Sequence, residues 1–535
     1  MGSVRRMRTP LPDKFTERPR LSCRERRESE VSGPSHDGGV SVLGAVTFID
    51  VTSVGPWQGG LKRGGMMEMR NFPRCGTASR AKAAAFAMTA GLLASPWATG
   101  NDGDLDPSFG VAGVAFMGLT AAGLELPPKP VVQPDGKILI CSMLSSGGPS
   151  ADDMLIARFN ADGTPDNTFD FDGKVTIDFD GRSDGCNALA LQANGKIVAI
   201  GTSTNQMDFN SDFAAARLNA DGSLDQTFGA GTGKVLVPFD VGGNLGDTAG
   251  GVAMQPDGKI IVVGWVNVDT ANVDFGVVRL LPDGTRDTTF NSTGRVTVAF
   301  DFPGSGNLDQ GDSVVIDAAG RILVGGIADT GAAGAADFAL ARLLPNGQLD
   351  PAFDADGRLT IGFDLGDTRG DLSYQTILQS DGKIVMVGAA DTGSGAINND
   401  VAIARLLPDG SPDPDFGIGG KVVVPFDLVT NGSDVATGVV EDSVGRLIMA
   451  GVGLDALSTN GKAIALRLRP DGALDQTFGI FGKKIYDFGG DTALFSGVAL
   501  QGTQIIASGF RAIGMDADNL VARLQVDLIF ANGFD

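Results

Sequence analysis

Arg217-Leu218-Asn219-Ala220-Asp221-Gly222-Ser223-Leu224-Asp225-Gln226-Thr227-Phe228 decides the fold, because the chain keeps repeating it. The phenylalanine recurs as Phe109, Phe169, Phe228, Phe290, Phe353, Phe416 and Phe478, in steps of 59–63 residues. The arginine recurs as Arg158, Arg217, Arg279, Arg342, Arg405, Arg467 and Arg523. Six copies are complete and the seventh is split. Its Asp-x-x-Phe, Asp106–Phe109, opens the array, and its arginine, Arg523, closes it. A period this regular means one supersecondary unit repeated side by side.

Each unit reads as four strands. In the second, Ala188–Gln192 is a short apolar run and Asn194-Gly195 is a hairpin turn dipeptide. Lys196–Gly201 is β-branched, Asp212–Leu218 is a third apolar run, and Gly233–Phe239 is a fourth. Pro238 suits an outer edge strand, where a missing N–H costs little. No repeat carries a helical period of useful length. The expected fold is therefore all-β: a seven-bladed β-propeller of four-stranded antiparallel blades over residues 101–525. A β-solenoid is the rival, but it prefers shorter coils and leaves ends that need caps. The orphan strand near Gly113–Gly118 should pair with Asn519–Gln525 and complete the last blade, which removes exposed sheet edges.

The repeats resemble the delta-60 repeat family, a domain of unknown function that forms a β-propeller. The matching pieces are Gln255-Pro256-Asp257-Gly258-Lys259-Ile260, Asp337-Phe338-Ala339-Leu340-Ala341-Arg342 and Asp221–Gly229. The resemblance implies a secreted or surface protein of bacteria, with no established catalytic residues to carry over.

Outside the repeats, residues 83–95 form an apolar run preceded by Arg70, Arg74, Arg80 and Lys82 and followed by Ala98-Thr99-Gly100. That is the layout of a secretory signal peptide over residues 66–100. Met66, Met67 or Met69 would be a natural start, which leaves residues 1–65 as an over-extended gene start or a disordered stretch. Residues 526–535 form a short C-terminal tail. A secreted or cell-surface protein is expected, monomeric, with no integral membrane segment after cleavage.

Composition narrows the function. The first hundred residues have a surplus of Lys and Arg, yet the whole chain carries −22, so the repeats are strongly acidic. That argues against nucleic acid as a partner. The single histidine, His36, lies outside the repeats, which therefore have no His general base, Ser-His-Asp triad or His metal ligand. The leading expectation is a binding or interaction module that is not an enzyme, with an extracellular glycan or protein as ligand and no organic cofactor. A carboxylate-dependent glycoside hydrolase is the alternative, and a structural surface or matrix protein is a second. Asp367 and Asp391 are nonrepeated acids that such a hydrolase could use.

The turns between first and second strands and the Asp-x-x-Phe connections hardly vary from copy to copy. The other two loops vary in length and sequence, and by strand direction they share the opposite face. Recognition belongs on that variable face. The seven arginines are expected to pair bidentately with Asp106, Asp166, Asp225, Asp287, Asp350, Asp413 and Asp475, as scaffold. A second acidic set, Glu125, Asp184, Asp247, Asp309, Asp371 and Asp434, starts the innermost strands. It could ring the channel mouth and hold Ca²⁺, or each member could cap a backbone N–H. Asp170–Gly173 and Asp354–Gly357 look like calcium loops without the remaining ligands. Cys141 and Cys186 fall at the variable end of adjacent blades and could bridge them. Trp265 is placed on a variable loop, where it could stack on a ligand.

Overall fold

The structure is a computed structural model. It describes residues 102–117, 129–145, 152–239, 241, 245–302, 307–331, 335–365, 370–393, 398–426, 432–454, 460–489, 492–513 and 516–526. The chain divides into two units at Leu61/Lys62, and all described residues belong to the second. The expected signal segment 66–100, the stretch 1–65, the tail beyond Val526, Glu125 and Asp367 lie outside the described residues.

The described residues form seven four-stranded antiparallel sheets, each one blade of a β-propeller. The second blade is the pattern for the rest. Its strands, from innermost to outermost, are Ser183–Leu191, Ile197–Thr204, Ser211–Leu218 and Lys234–Val237. The middle strands are buried on both faces, which is why they read as continuous apolar runs such as Ile197-Val198-Ala199-Ile200. Pro238 falls just beyond the outermost strand. The one helical element described is a single 3-10 turn, Gly229–Gly231. No helix among the described residues is long and apolar enough to cross a membrane.

The seventh blade closes the ring as the split repeat predicts. Its strands Thr492–Gln501, Gln504–Ile513 and Asp516–Leu524 come from the C-terminal end. Its outermost strand, Val114–Met117, comes from the N-terminal end, with Val114 opposite Ala522 and Met117 opposite Asn519. Asp102-Gly103 supplies the turn that the C-terminal copy lacks. Gly103 N–H donates to the Gln525 carbonyl (2.9 Å), and Gln525 N–H to the Asp104 carbonyl (2.7 Å).

One polar latch repeats around one face. In the second blade Arg217 Nε donates to Asp225 Oδ2 (2.6 Å), Nη2 to Thr227 Oγ1 (3.0 Å) and Nη1 to the Pro282 carbonyl of the next blade. The bidentate pairing expected from the sequence is therefore not what forms. Asp225 gives one oxygen to the arginine and the other to the Thr227 N–H and hydroxyl, so the guanidinium is free to reach across the blade junction. The same arginine lies over the Phe228 ring (4.7 Å to centroid). Phe228 is fully buried against Gly284 in the next blade's turn. Gly284 sits at φ +87°, and a Cβ there would come 2.8 Å from the Phe228 ring. Backbone conformation and inter-blade packing thus demand the same glycine.

Candidate functional site

The innermost strands carry a feature that the apolar pattern hides. In six blades the register with the second strand shifts by one residue, at Asn187, Gly250, Asp312, Tyr374, Thr437 and Ser496. A bulge of this kind re-aims a side chain out of the ladder. Some of these residues stitch neighbouring blades: Asn187 Nδ2 donates to the Ala249 carbonyl (2.5 Å) and Thr437 Oγ1 to the Phe495 carbonyl (2.8 Å).

Two bulge residues and one neighbour are ionisable and do not repeat. Lys129 starts the innermost strand of the first blade, Asp312 belongs to the fourth and Tyr374 to the fifth. All three are half-buried, so solvent reaches them, yet they are surrounded by protein. Burial pushes the Asp312 carboxyl up to about 7, against the opposing pull of Lys129. It lowers the Lys129 ammonium, with Asp312 acting the other way. Tyr374 is raised by burial and then by Asp312. Lys129 and Asp312 lie on the innermost strands of different blades, and each charge tempers the shift of the other.

At the variable end of the blade junctions the structure gathers carboxylates. Asp153, Asp178 and Asp184 place oxygens within 4.8 Å of one another, and so do Asp274, Asp301 and Asp309. Each trio draws one acid from a third strand, one from the segment after an outermost strand, and one from the start of the next blade. Burial, then the charges of Asp301, Asp309 and Asp269, push Asp274 up to about 7. Burial raises Asp309 to about 6, although the Phe300 N–H donates to its Oδ2 (2.7 Å).

Of the six acids expected at the channel mouth, Asp184, Asp247, Asp309, Asp371 and Asp434 all accept a backbone N–H. The donors are Phe179, Phe239, Phe300, Phe363 and Phe426, at 2.6–3.0 Å. Asp184 and Asp309 also join the carboxylate trios, whose other members come from the preceding blade rather than from this set. Asp153 and Asp274 were legible but not singled out. They stand five residues before Arg158 and Arg279, a position that is also aspartate before Arg217, Arg342, Arg405 and Arg523.

Other sequence candidates divide. Cys141 and Cys186 form a disulfide with Cα atoms 5.6 Å apart, joining the first blade to the second. Trp265 is not on a loop: it lies inside the strand Ile260–Asn267, half-buried, opposite Phe275 and Thr248. Asp391 is buried and ends a second strand, its Oδ1 accepting the Gly393 N–H (3.0 Å). Asp172 and Asp356 cap local turns by accepting the N–H of Lys174 and Arg358. The variable loop of the second blade presents Met207 and Phe209, 92% and 75% exposed, with Phe209 at φ +57°. A bulky residue in that region is strained and needs its surroundings to hold it. Here the Phe209 N–H donates to the Asn205 carbonyl (2.8 Å).

No curated protein matches the chain. Among solved structures it is similar to a protein of unknown function from Dyadobacter fermentans, at 11% identity and TM-score 0.34, covering 78% of this chain and 98% of that one. It is similar to an α-L-arabinanase of Penicillium chrysogenum complexed with arabinobiose, at 11% identity and TM-score 0.41, with the same coverage. It is also similar to a family PL25 ulvan lyase, at 13% identity and TM-score 0.33, covering 68% of this chain and 79% of that one. At such identities the likeness is one of fold. The expectation that the chain is not an enzyme is withdrawn: the propellers it is similar to include an α-L-arabinanase and a polysaccharide lyase. Residues 133–169, 192–228, 255–290, 320–353 and 379–416 match a model described as a domain of unknown function (DUF5122) β-propeller. These five segments support a place for the repeats in a β-propeller repeat family of unknown function.

Proposed function

We propose that the chain is an exported, surface-associated or secreted propeller of the delta-60 type that binds an extracellular glycan or protein on its variable face. The observation that carries this reading is the contrast between the faces. The Arg–Asp–Phe latch recurs on one face from blade to blade, so it is scaffold. On the other face loops, charges and exposed side chains differ from blade to blade, as a recognition surface requires. Export is supported by the signal-like segment and by the disulfide.

Two of the three exposed phenylalanines at positive φ among the described residues, one on each face, make the test. Phe209 belongs to the variable face and Phe171 to the latch face. A glycan array and a pull-down from cell-surface material, read with the unaltered chain, Phe209→Ala and Phe171→Ala, should show binding lost or weakened only in Phe209→Ala. Loss in Phe171→Ala alone would move the site to the latch face and sink the reading.

A second reading is favoured by the nonrepeated acid of the innermost strands. A carboxyl that titrates near neutrality can give and take protons, so Asp312 would serve a carboxylate-dependent glycoside hydrolase. Release of reducing sugar by the chain, abolished in Asp312→Asn, would support it.

A further inference from the structure

We infer that the junction between the third and fourth blades is a binding site for a hard divalent cation, Ca²⁺ in particular, held by Asp274, Asp301 and Asp309. The junction between the first and second blades, with Asp153, Asp178 and Asp184, is a second site of the same design. The inference goes beyond the reading of the variable face and does not depend on any ligand being bound there.

The geometry is the first support. Three carboxylates converge within 4.8 Å, two of them buried and the third, Asp301, exposed to solvent as the way in. Among the described residues no lysine or arginine forms an ion pair with any of the three. Oxygen ligands of this kind suit Ca²⁺, which accepts several carboxylates in flexible geometry.

The second support is unspent bonding capacity. Asp274 is 5% exposed, and its Oδ1 atom is enclosed with no hydrogen-bond partner, while the fully buried Asp309 spends its Oδ2 on the Phe300 N–H. An enclosed carboxylate oxygen without a donor is costly unless something positive meets it.

The third support comes from the protein's own copies. The position five residues before the latch arginine finds its partner in each of the other five blades. Asp212 pairs with Arg182 (3.2 Å) and Asp518 with Arg511 (2.8 Å). Asp337 and Asp400 accept the hydroxyls of Thr330 and Thr392 (both 2.6 Å). In the sixth blade the acid is replaced by Lys462, which pairs with Asp487 (3.2 Å), and the next blade has Ala493 where the others have an acid, Glu125 or an aspartate. A tethered ammonium therefore pairs with the acid at one junction, where each trio of the other two places a third carboxylate. Asp153 and Asp274 are the copies whose nearest polar company is two more carboxylates.

The experiment counts Ca²⁺ on the full chain after EDTA stripping, by equilibrium dialysis at micromolar free Ca²⁺, with calorimetry for affinity. The unaltered chain should hold Ca²⁺ and melt at a higher temperature with it. Asp301→Asn, at an exposed position, should lose one equivalent or bind it at least tenfold more weakly. Asp274→Lys, which copies the sixth blade, should lose the same equivalent while its circular dichroism stays that of the unaltered chain. Asp153→Asn should remove the other equivalent. Absence of Ca²⁺ from the unaltered chain would overturn the inference. So would undiminished Ca²⁺ in both Asp301→Asn and Asp274→Lys. If Asp274→Lys fails to fold, Asp301→Asn decides alone.

Discussion

Arg523 and Asp106 stand 417 positions apart in the sequence and form the same contact that Arg217 and Asp225 form eight apart: Nε to Oδ2, at 2.8 Å and 2.6 Å. The last blade thus rebuilds from two chain ends what the others make from one stretch. Arg467 Nη2 adds a bond to Asp102 Oδ2 (2.6 Å), and Lys484 pairs with Asp104 (2.5 Å). Closure is therefore polar as well as backbone-paired.

The closing pair is more exposed than the internal ones, at 14% and 13% against 6% and 4% for Arg217 and Asp225. Removing one partner of a buried pair strands the other charge and costs about 3–5 kcal/mol, and wetter pairs cost less. Asp225→Ala is expected to lower unfolding free energy by about 3 kcal/mol and Asp106→Ala by roughly 1–2 kcal/mol. Urea denaturation of the two variants measures the difference. A larger loss for Asp106→Ala would mean that ring closure, not the local pair, limits stability.

Glycine substitutions separate strain from packing. Gly195 and Gly284 share a positive φ, +81° and +87°, but a Cβ at Gly195 meets nothing within 4 Å, whereas at Gly284 it meets the Phe228 ring. Gly195→Ala should cost on the order of 1 kcal/mol from backbone strain alone. Gly284→Ala should cost clearly more, about 3 kcal/mol, because a packed core yields little to added volume. Equal losses in thermal or urea melts would show that Phe228 moves aside.

The legible part of this protein is whatever repeats. The Arg-to-Phe spacing yielded blade number, strand order and the split closure, because a ring of like units imposes the same contacts on each copy. The bulges were not legible. Asn187 and Asp312 sit in innermost strands whose neighbours still alternate plausibly, and only the pairing partner reveals the extra residue. The carboxylate trios were half legible. Asp184 and Asp309 stand out at the strand starts, but nothing in a third strand tells that Asp153 or Asp274 faces an acid from the next blade. Trp265 was misplaced because its strand extends further than its apolar core.

The disulfide between Cys141 and Cys186 spans 45 residues. A loop of that length restricts the unfolded chain by about 4 kcal/mol in the loop-entropy account. Reduction under native conditions should leave the circular dichroism of the blades in place and lower the urea midpoint by the corresponding amount. Intact mass after alkylation, with and without prior reduction, checks the bond itself. Two thiols alkylated without reduction would remove it and leave the first two blades joined by packing alone.

Acid should unlock the latch in a defined window. Burial alone would raise Asp287, but the Thr289 hydroxyl and N–H and the charges of Arg279 and Lys259 overcome it and hold the carboxyl at about 2. Asp166, Asp225, Asp413, Asp475 and Asp106 are lowered for the same kinds of reason. A carboxyl whose folded value is depressed stabilises the fold fully above its unfolded value near 4 and loses that contribution as pH falls through the folded value. For Asp287 the loss is on the order of 2 kcal/mol, spread between about pH 4 and 2. Asp312 acts with the opposite sign. Its folded value near 7 exceeds the unfolded one, so its ionisation weakens the fold as pH rises from about 4 to 7, by an amount that its partial exposure to solvent reduces. Urea midpoints in EDTA should therefore be highest near pH 5 and fall steeply below pH 3. Asp274, Asp309 and Asp371 are raised as well, so Asp312→Asn should make the neutral limb shallower without removing it and leave the acid limb unchanged, whereas Asp287→Asn should lower stability at neutral pH and soften the acid limb. An acid limb identical in Asp287→Asn and the unaltered chain would show that the latch aspartates do not govern acid unfolding.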